Sequence, residues 1–221
     1  MFKQRNGRFL LCVSSLVCGC SFHEPNLHSE QFEIQEVPRS LVVDVRAGDV
    51  SLRGADVDSI LVSAKIDGPT NHVAHQQGQE ELTVFDECHE DPCSVDLSLE
   101  VPRVLALTLR TGAGDVRLED ARGEISIHSG SGDVRGLGLA GVNFSAETGS
   151  GDVRLELAPA LSVHLRTESG DVALSVPGGA YRLGVSTGSG DREFEGVSND
   201  PNASGAIDVT TGAGDLKITG I

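Results

Sequence analysis

One six-residue motif returns along the second half of the chain, and it limits the folds that the chain can adopt. Its clearest copy is Thr-Gly-Ser-Gly-Asp-Val at residues 148–153. Related copies lie at residues 111–116, 129–134, 167–172, 187–192 and 211–216, and residues 46–50 resemble an earlier, degraded copy. The aspartates of the six full copies are 18, 19, 19, 20 and 24 residues apart. A period near twenty residues is typical of repeat proteins, whose stacked units share one continuous core.

Short alternating strands flank each copy of the motif. Apolar side chains occupy every second position on both sides of the glycine-rich turn, which is the period of a β-strand. The columns include Leu107, Ile125, Phe144, Val163, Leu183 and Ile207 before the turn, and Val116, Val134, Val153, Val172 and Leu216 after it. Stacked units give each column like neighbours about 4.8 Å apart. The sequence therefore predicts an all-β parallel β-solenoid with coils of about 19 residues. A β-sandwich, the alternative, does not require the same turn in every coil.

The motif carries an aspartate at a fixed place, namely Asp115, Asp133, Asp152, Asp171, Asp191 and Asp215. Carboxylates stacked about 4.8 Å apart repel by roughly 0.9 kcal/mol in water and about 3–4 kcal/mol at an effective dielectric constant of 20. Such a ladder is stable if each carboxylate is solvated, accepts backbone N–H groups in a turn, or shares a cation. We expect turn capping. The alternative is calcium bridging, which would make these six residues a metal site.

The N-terminus has the pattern of a secretory signal peptide. Lys3, Arg5 and Arg8 precede an apolar run at residues 9–17. A basic segment followed by a short apolar one is typical of secretion signals. The run is well short of the roughly 20 residues needed to span a bilayer, so we do not expect a retained transmembrane helix.

Residues 17–20, Val-Cys-Gly-Cys, resemble the bacterial lipobox. That resemblance implies that Cys20 is lipidated and that Ser21 favours sorting to the outer membrane. Residues 1–19 are then a lipoprotein signal peptide, and residues 20–37 are the lipidated cysteine and a flexible tether. The membrane becomes a partner through the lipid anchor, and the expected location is the cell envelope as an outer-membrane lipoprotein. Cleavage and secretion without a lipid is the alternative.

The folded domain is predicted over residues 38–221, with an inserted loop region at residues 68–94. That insertion contains Cys88 and Cys93. In an oxidising compartment, a cysteine pair this close is expected to form a disulfide that closes the loop. The alternative is a metal site that uses both cysteines, His89 and either His72 or His75. The lone C-x4-C spacing lacks the second cysteine pair of structural zinc sites.

The acidic charge and the scarcity of aromatic residues narrow the partners and the core. The formal net charge is −16, which argues against binding nucleic acid through a basic patch. Aromatic residues make up 4% of the chain and glycine occurs 27 times. A narrow core of valine, leucine and isoleucine suits this composition better than a wide globular core.

The repeated T-G-[SA]-G-D-V motif on alternating strands, behind a lipoprotein signal, resembles the bacterial "putative adhesin" family of envelope β-solenoids, a domain family of unknown function. The resemblance covers roughly residues 42–221. It implies a right-handed parallel β-helix in the cell envelope. It implies no ligand and no reaction.

The predicted function is a non-enzymatic, adhesin-like module that binds an unidentified envelope or surface partner or serves envelope structure, without a required cofactor. Three alternatives stay open: a calcium-binding repeat module, a polysaccharide-acting β-helix enzyme and a self-assembling scaffold. An enzyme would need convergent acid and base groups in a cleft, whereas the recurring carboxylates lie in turns. Residues 136–141 fit the dinucleotide pattern G-x-G-x-x-G, but the following residues alternate like a strand rather than a helix.

The end of the sequence suggests self-association. Residues 216–221 complete a strand without a polar capping segment. An uncapped terminal coil exposes strand edges and favours end-to-end pairing. We therefore expect weak association through the C-terminal coil.

Overall fold

The computed structural model describes residues 27–89, 91, 93–158 and 162–221, and its regular elements are all β-strands. The first ten strands are β1 Leu27–Ile34, β2 Ser40–Ala47, β3 Val50–Ala55, β4 Ile60–Asp67, β5 His72–Gln77, β6 Glu81–Glu87, β7 Val95–Pro102, β8 Ala106–Ala113, β9 Val116–Glu119 and β10 Ile125–Ser131. The others are β11 Val134–Leu139, β12 Asn143–Ser150, β13 Val153–Leu157, β14 Ser162–Ser169, β15 Val172–Val176, β16 Gly179–Ser189, β17 Arg192–Glu195, β18 Val197–Asn199, β19 Ala206–Ala213 and β20 Leu216–Gly220.

The strands form two ten-stranded sheets. Sheet A has the order β1-β4-β7-β3-β9-β11-β13-β15-β20-β17, and sheet B has the order β18-β16-β19-β14-β12-β10-β8-β2-β6-β5. From β8 to β15 the chain alternates between the sheets, and each strand pairs in parallel with its counterpart in the next coil. Ile125 of β10, for example, lies opposite Leu107 of β8 and Phe144 of β12. The prediction of an all-β fold with mostly parallel, stacked strands is confirmed.

The core lies between the sheets and is almost entirely aliphatic. Strand β13, and strand β14 as far as Thr167, show strict alternation of buried and exposed residues, as expected for strands with one face on a core. Leu109, Ile127, Ala146 and Leu165 follow one another in one inward column and are completely buried. Full burial of each leucine or isoleucine side chain stabilises the fold by about 1.5–3 kcal/mol before entropy losses. Stacking therefore gives every interior coil the same hydrophobic contacts above and below.

The N-terminal end of the domain is antiparallel, which the sequence did not predict. Strand β1 pairs with β4, β4 pairs with β7, and β5 pairs with β6 in this way. The flexible tether predicted over residues 20–37 is therefore wrong for residues 27–34, which form β1. The predicted loop region at residues 68–94 contains the hairpin of β5 and β6.

Contacts between β1 and β5 close this end of the domain. Oε2 of Glu30 accepts the backbone N–H of Val73 at 3.1 Å. The rings of Phe32 and His75 stack with centroids 5.2 Å apart. Since β1 is the first strand of sheet A and β5 is the outermost strand of sheet B, these contacts join the two sheets at their edges.

At the other end, the order of coils in space differs from their order in sequence. Strands β19 and β20 lie between the coil of β14 and β15 and the coil of β16 and β17. The prediction that the C-terminal coil forms the exposed edge is therefore wrong. The short strand β18 and residues 200–205 carry the chain back so that β19 can enter beside β14.

The coil of β16 and β17, at this exposed end, has a charged residue at a position that is apolar in the adjacent coil. Arg192 occupies the column that holds Leu216 in the adjacent coil. Its guanidinium donates to the backbone carbonyl of Val185 at 3.3 Å. Phe194 in the same strand is 44% exposed. An inward-pointing charge on an edge strand is a known obstacle to edge-to-edge pairing, and it is tolerated here because no further coil covers it among the described residues.

Candidate functional sites

The motif aspartates form a hydrogen-bonded ladder along one corner between the sheets. In each step the backbone N–H of one aspartate donates to Oδ1 of the aspartate in the neighbouring coil, at 2.8–2.9 Å. From end to end, the ladder contains Asp96, Asp49, Asp115, Asp133, Asp152, Asp171, Asp215 and Asp191. The structure thus brings all six predicted aspartates together and adds two. Asp49 belongs to the degraded motif copy, whereas Asp96 has no preceding glycine and no sequence signal.

Arginine side chains offset part of the ladder's charge. Arg135 lies 2.7 Å from Asp133, and Arg154 lies 2.8 Å from Asp152. The backbone N–H of Asp171, followed by the side chain and charge of Arg154, holds the pKa of Asp152 below its usual value of 3.8, against the opposing effect of partial burial. Hydrogen bonds and guanidinium groups therefore offset the repulsion expected between stacked carboxylates.

The ladder does not have the geometry of a closed cation cage. Among the described residues, no group of three candidate ligand atoms within 4.8 Å of one another includes a ladder carboxylate. Calcium prefers six to eight oxygen ligands, and each interior Oδ1 already accepts a backbone N–H. Calcium bridging of the six motif aspartates stays a prediction.

Other positions of the motif also bind one coil to the next. The hydroxyl of Thr167 donates to the carbonyl of Gly151 at 3.3 Å, and that of Thr211 donates to the carbonyl of Gly170 at 3.0 Å. Gly151 has a φ of 143°, and a side chain there would collide with the carbonyl oxygen of Gly132. Threonine, glycine and aspartate are thus used for coil-to-coil contact. The most repeated element of the sequence is a structural corner.

An open groove of about 440 Å³ crosses the outer face of sheet B. Five charged or titratable side chains in register form its charged column, and these are Asp44, Arg110, His128, Glu147 and Arg166. Gly112, Gly130 and Gly149 also line the groove, next to this column. Since glycine lacks a side chain, backbone is accessible along the groove. Sequence reasoning missed this column because its residues differ from coil to coil.

Three residues in and beside the charged column have the order of a hydrolytic triad. Oγ of Ser126 lies 3.3 Å from Nε2 of His128, and Nδ1 of His128 lies 3.5 Å from Oε2 of Glu147. A serine nucleophile also needs backbone or side-chain donors for an oxyanion. Strand β10 pairs with β8 on one edge and with β12 on the other, so its backbone N–H groups donate to these neighbouring strands of sheet B. The arrangement therefore supplies a nucleophile and a base, and the backbone of β10 supplies no free N–H for an oxyanion.

The hairpin of β5 and β6 leads into a disulfide-closed loop. Cys88 and Cys93 are bonded to each other. Their sulfurs are therefore not free thiolates, the form in which cysteine binds metal, and the predicted alternative with both cysteines as ligands does not hold in this structure. His75, also named in that alternative, stacks on Phe32 instead. His72 and His89 do lie together, with ring centroids 5.3 Å apart.

Cys20 and the signal peptide lie outside the described residues, so their predicted roles are untested by the structure. No helix in the described part of the chain is long and apolar enough to cross a membrane.

Most of the folded domain matches a known protein family. Residues 39–219, which include both sheets, the ladder and the groove, match the Toastrack DUF4097 family. The chain belongs to this Toastrack family. Strand β1, which closes the end of the domain, precedes the matched range.

Two solved structures have a fold similar to that of this chain. One is a "putative cell adhesion protein" from Clostridium sporogenes, with 9% identity, a TM-score of 0.52 and coverage of 90% of this chain and 100% of the other. Another is a "putative adhesin" from Bacteroides fragilis, with 14% identity, a TM-score of 0.50 and coverage of 87% and 96%. At these identities the likeness shows the fold alone. Among curated proteins, none matches this Toastrack sequence.

Proposed function

We propose that this Toastrack protein is a non-enzymatic envelope module that binds a polar surface partner through the charged column of sheet B. The observation that carries the proposal is the open groove, in which glycine backbone runs beside Arg110, His128, Glu147 and Arg166. Fixed charges of both signs on a rigid sheet select partners with a complementary pattern. The structural neighbours that are named for adhesion have the same fold, which is compatible with this role.

A charge-reversal experiment tests the groove. The full chain is used as bait for envelope extracts, beside a double variant with Arg110→Glu and Arg166→Glu. The matched control, Arg53→Glu with Lys217→Glu, makes the same charge change on strands of sheet A. We expect the sheet B variant to lose the partner at low salt and the control to retain it. Equal capture by both variants would refute the assignment of the groove.

Envelope location and the lipid anchor are part of the same proposal. The basic and apolar N-terminus and the lipobox-like residues 17–20 support it. The disulfide of Cys88 and Cys93 is compatible with an oxidising compartment. Metabolic labelling with a radioactive fatty acid should mark the wild type but not a Cys20→Ala variant. Label that persists in the variant would exclude Cys20 as the lipidation site.

Hydrolysis is the second candidate, and the contacts among Ser126, His128 and Glu147 are the observation that favours it. An activated-ester substrate should be cleaved by the wild type and not by His128→Ala if this arrangement is catalytic. We rank it below binding because β10 lies between β8 and β12, so its backbone N–H groups bond to those strands and are not free for an oxyanion. Activity that disappears in both Ser126→Ala and His128→Ala would reverse the ranking.

The finer geometry of the fold also belongs to the proposal. The repeat supports coils of about 19 residues, and the family resemblance supports a right-handed winding. A crystal structure would give both directly. The envelope function does not depend on the handedness.

A further inference from the structure

Three potential metal ligands converge where β5 and β6 meet at the antiparallel end of the domain. They are His72, Glu87 and His89, and one ligand atom from each lies within 4.8 Å of the other two. We propose that these residues bind one divalent transition-metal ion of the zinc class. The site is separate from both the aspartate ladder and the groove.

The hairpin itself brings the first two ligands together. His72 and Glu87 are direct partners in the antiparallel register of β5 and β6. Nε2 of His72 lies 2.7 Å from Oε2 of Glu87, so the two atoms share a hydrogen bond. Ligand atoms of a tetrahedral zinc ion are about 3.3 Å apart when each bond is about 2.0–2.1 Å. A small rotation of either side chain therefore opens the space that an ion needs.

The third ligand is held by a buried polar residue. The backbone N–H of His89 donates to Oδ1 of Asn71 at 2.8 Å, and Nδ2 of Asn71 donates to the carbonyl of Asp67 at 2.8 Å. Asn71 is only 1% exposed, which is rare for asparagine and fixes the position of the loop. His89 also lies within the loop that the Cys88–Cys93 disulfide closes.

The other ring nitrogen of His72 has a suitable neighbour for a metal ligand. Nδ1 of His72 lies 3.5 Å from the carbonyl oxygen of Thr70. Metal-binding histidines usually direct their second nitrogen to a carbonyl or carboxylate, which fixes the tautomer. When an ion replaces the proton between His72 and Glu87, that tautomer leaves the lone pair of Nε2 free to bind the metal.

The donor set determines the kind of ion. Two imidazoles and one carboxylate suit zinc and similar ions, whereas calcium requires oxygen ligands. Zinc sites with three protein ligands keep a fourth position for water or another group. His89 is exposed, so that position is open to a group from outside the chain.

Calorimetry with zinc ions alone tests the proposal. The full chain is used with its disulfide intact and its free thiols alkylated, because Cys12, Cys18 and Cys20 would also bind zinc. We expect a one-to-one site whose affinity falls by at least about tenfold in His72→Gln and in His89→Gln. His75→Gln is the matched control, since His75 lies on the same hairpin but outside the cluster, and it should bind zinc like the wild type.

Two further measurements make the result decisive. His89→Gln should keep the thermal midpoint of the metal-free wild type, because its side chain is exposed, so a loss of zinc binding would not reflect unfolding. Calcium should give no heat at this site. The proposal is overturned if the wild type shows no saturable zinc binding, or if His72→Gln and His89→Gln both bind with wild-type affinity.

Discussion

Removing one interior carboxylate of the aspartate ladder should destabilise the domain far more than removing the terminal one. Oδ1 of Asp152 accepts the backbone N–H of Asp171 at 2.9 Å, and its other oxygen pairs with Arg154. In Asp152→Ala that N–H loses its ladder acceptor. Hydrogen bonds to charged groups contribute about 1.5–3 kcal/mol, and the half-exposed arginine pair adds at most about 1 kcal/mol. We expect the free energy of unfolding to fall by about 1.5–3 kcal/mol, since lost repulsion between neighbouring carboxylates offsets the arginine contribution.

Asp191 is the matched control because it ends the ladder. Its N–H donates to Asp215, but its own carboxylate accepts no ladder N–H from the described residues. Asp191→Ala should therefore change stability by no more than about 0.5 kcal/mol. Urea unfolding followed by far-ultraviolet circular dichroism measures both variants, with the slope m expected to stay unchanged. Equal losses in Asp152→Ala and Asp191→Ala would refute the idea that the ladder bonds hold the coils together.

The same pair of variants has a pH signature. Because the folded-state pKa of Asp152 is lowered, its contribution is fully present above the unfolded value of about 3.9 and is lost as the pH falls through the folded value. The stability difference between the wild type and Asp152→Ala should therefore shrink below about pH 3.9. A difference that stays constant down to acid unfolding would show that the ionised carboxylate is not the stabilising species.

Two more predictions concern the corner and the exposed end. Gly151→Ala should lower the free energy of unfolding by more than about 2 kcal/mol, because it combines a positive φ with a collision against the carbonyl oxygen of Gly132. Gly178→Ala is the control, since its added carbon would meet only a carbonyl oxygen at 3.3 Å. We expect a much smaller loss for this control in the same urea assay. Arg192→Val restores an apolar inward column at the open edge and should strengthen self-association by about tenfold or more, as measured by sedimentation velocity. A variant that sediments like the wild type at every concentration would show that Arg192 does not prevent pairing at this edge.

The repeat predicted the central coils well because local pattern and long-range packing agree there. The period-two columns determine which residues face the core, and the fixed motif determines which residues are neighbours. The repeat does not determine the spatial order of the last coils, because their motif copies are equivalent. Strands β16 and β19 carry equivalent motif corners, so either can pair with β14 by backbone hydrogen bonds. Arg192 is the residue that indicates which coil lies at the end, because a charge in the inward column fits only where no further coil covers it.

Sequence reasoning was weakest where no repeat exists. Strand β1 was read as a tether because histidine, glutamate and glutamine interrupt its apolar residues, yet Phe32 and Ile34 pack inward once β4 offers an antiparallel partner. The charged column escaped notice because outward positions are free to vary. The pairing of Glu87 with His72 depends on the register of a hairpin, which the spacing of the histidines alone does not reveal.

The inversion at the C-terminal end has a consequence for how the chain is made. Strands β16 and β17 are synthesised before β19 and β20, the strands that lie beside them in sheets B and A. This part of the domain can therefore reach its final strand order only after residues 206–220 have been synthesised. A chain that stops before residue 206 would lose β19 and β20, and with them the native partners of β14, β15, β16 and β17.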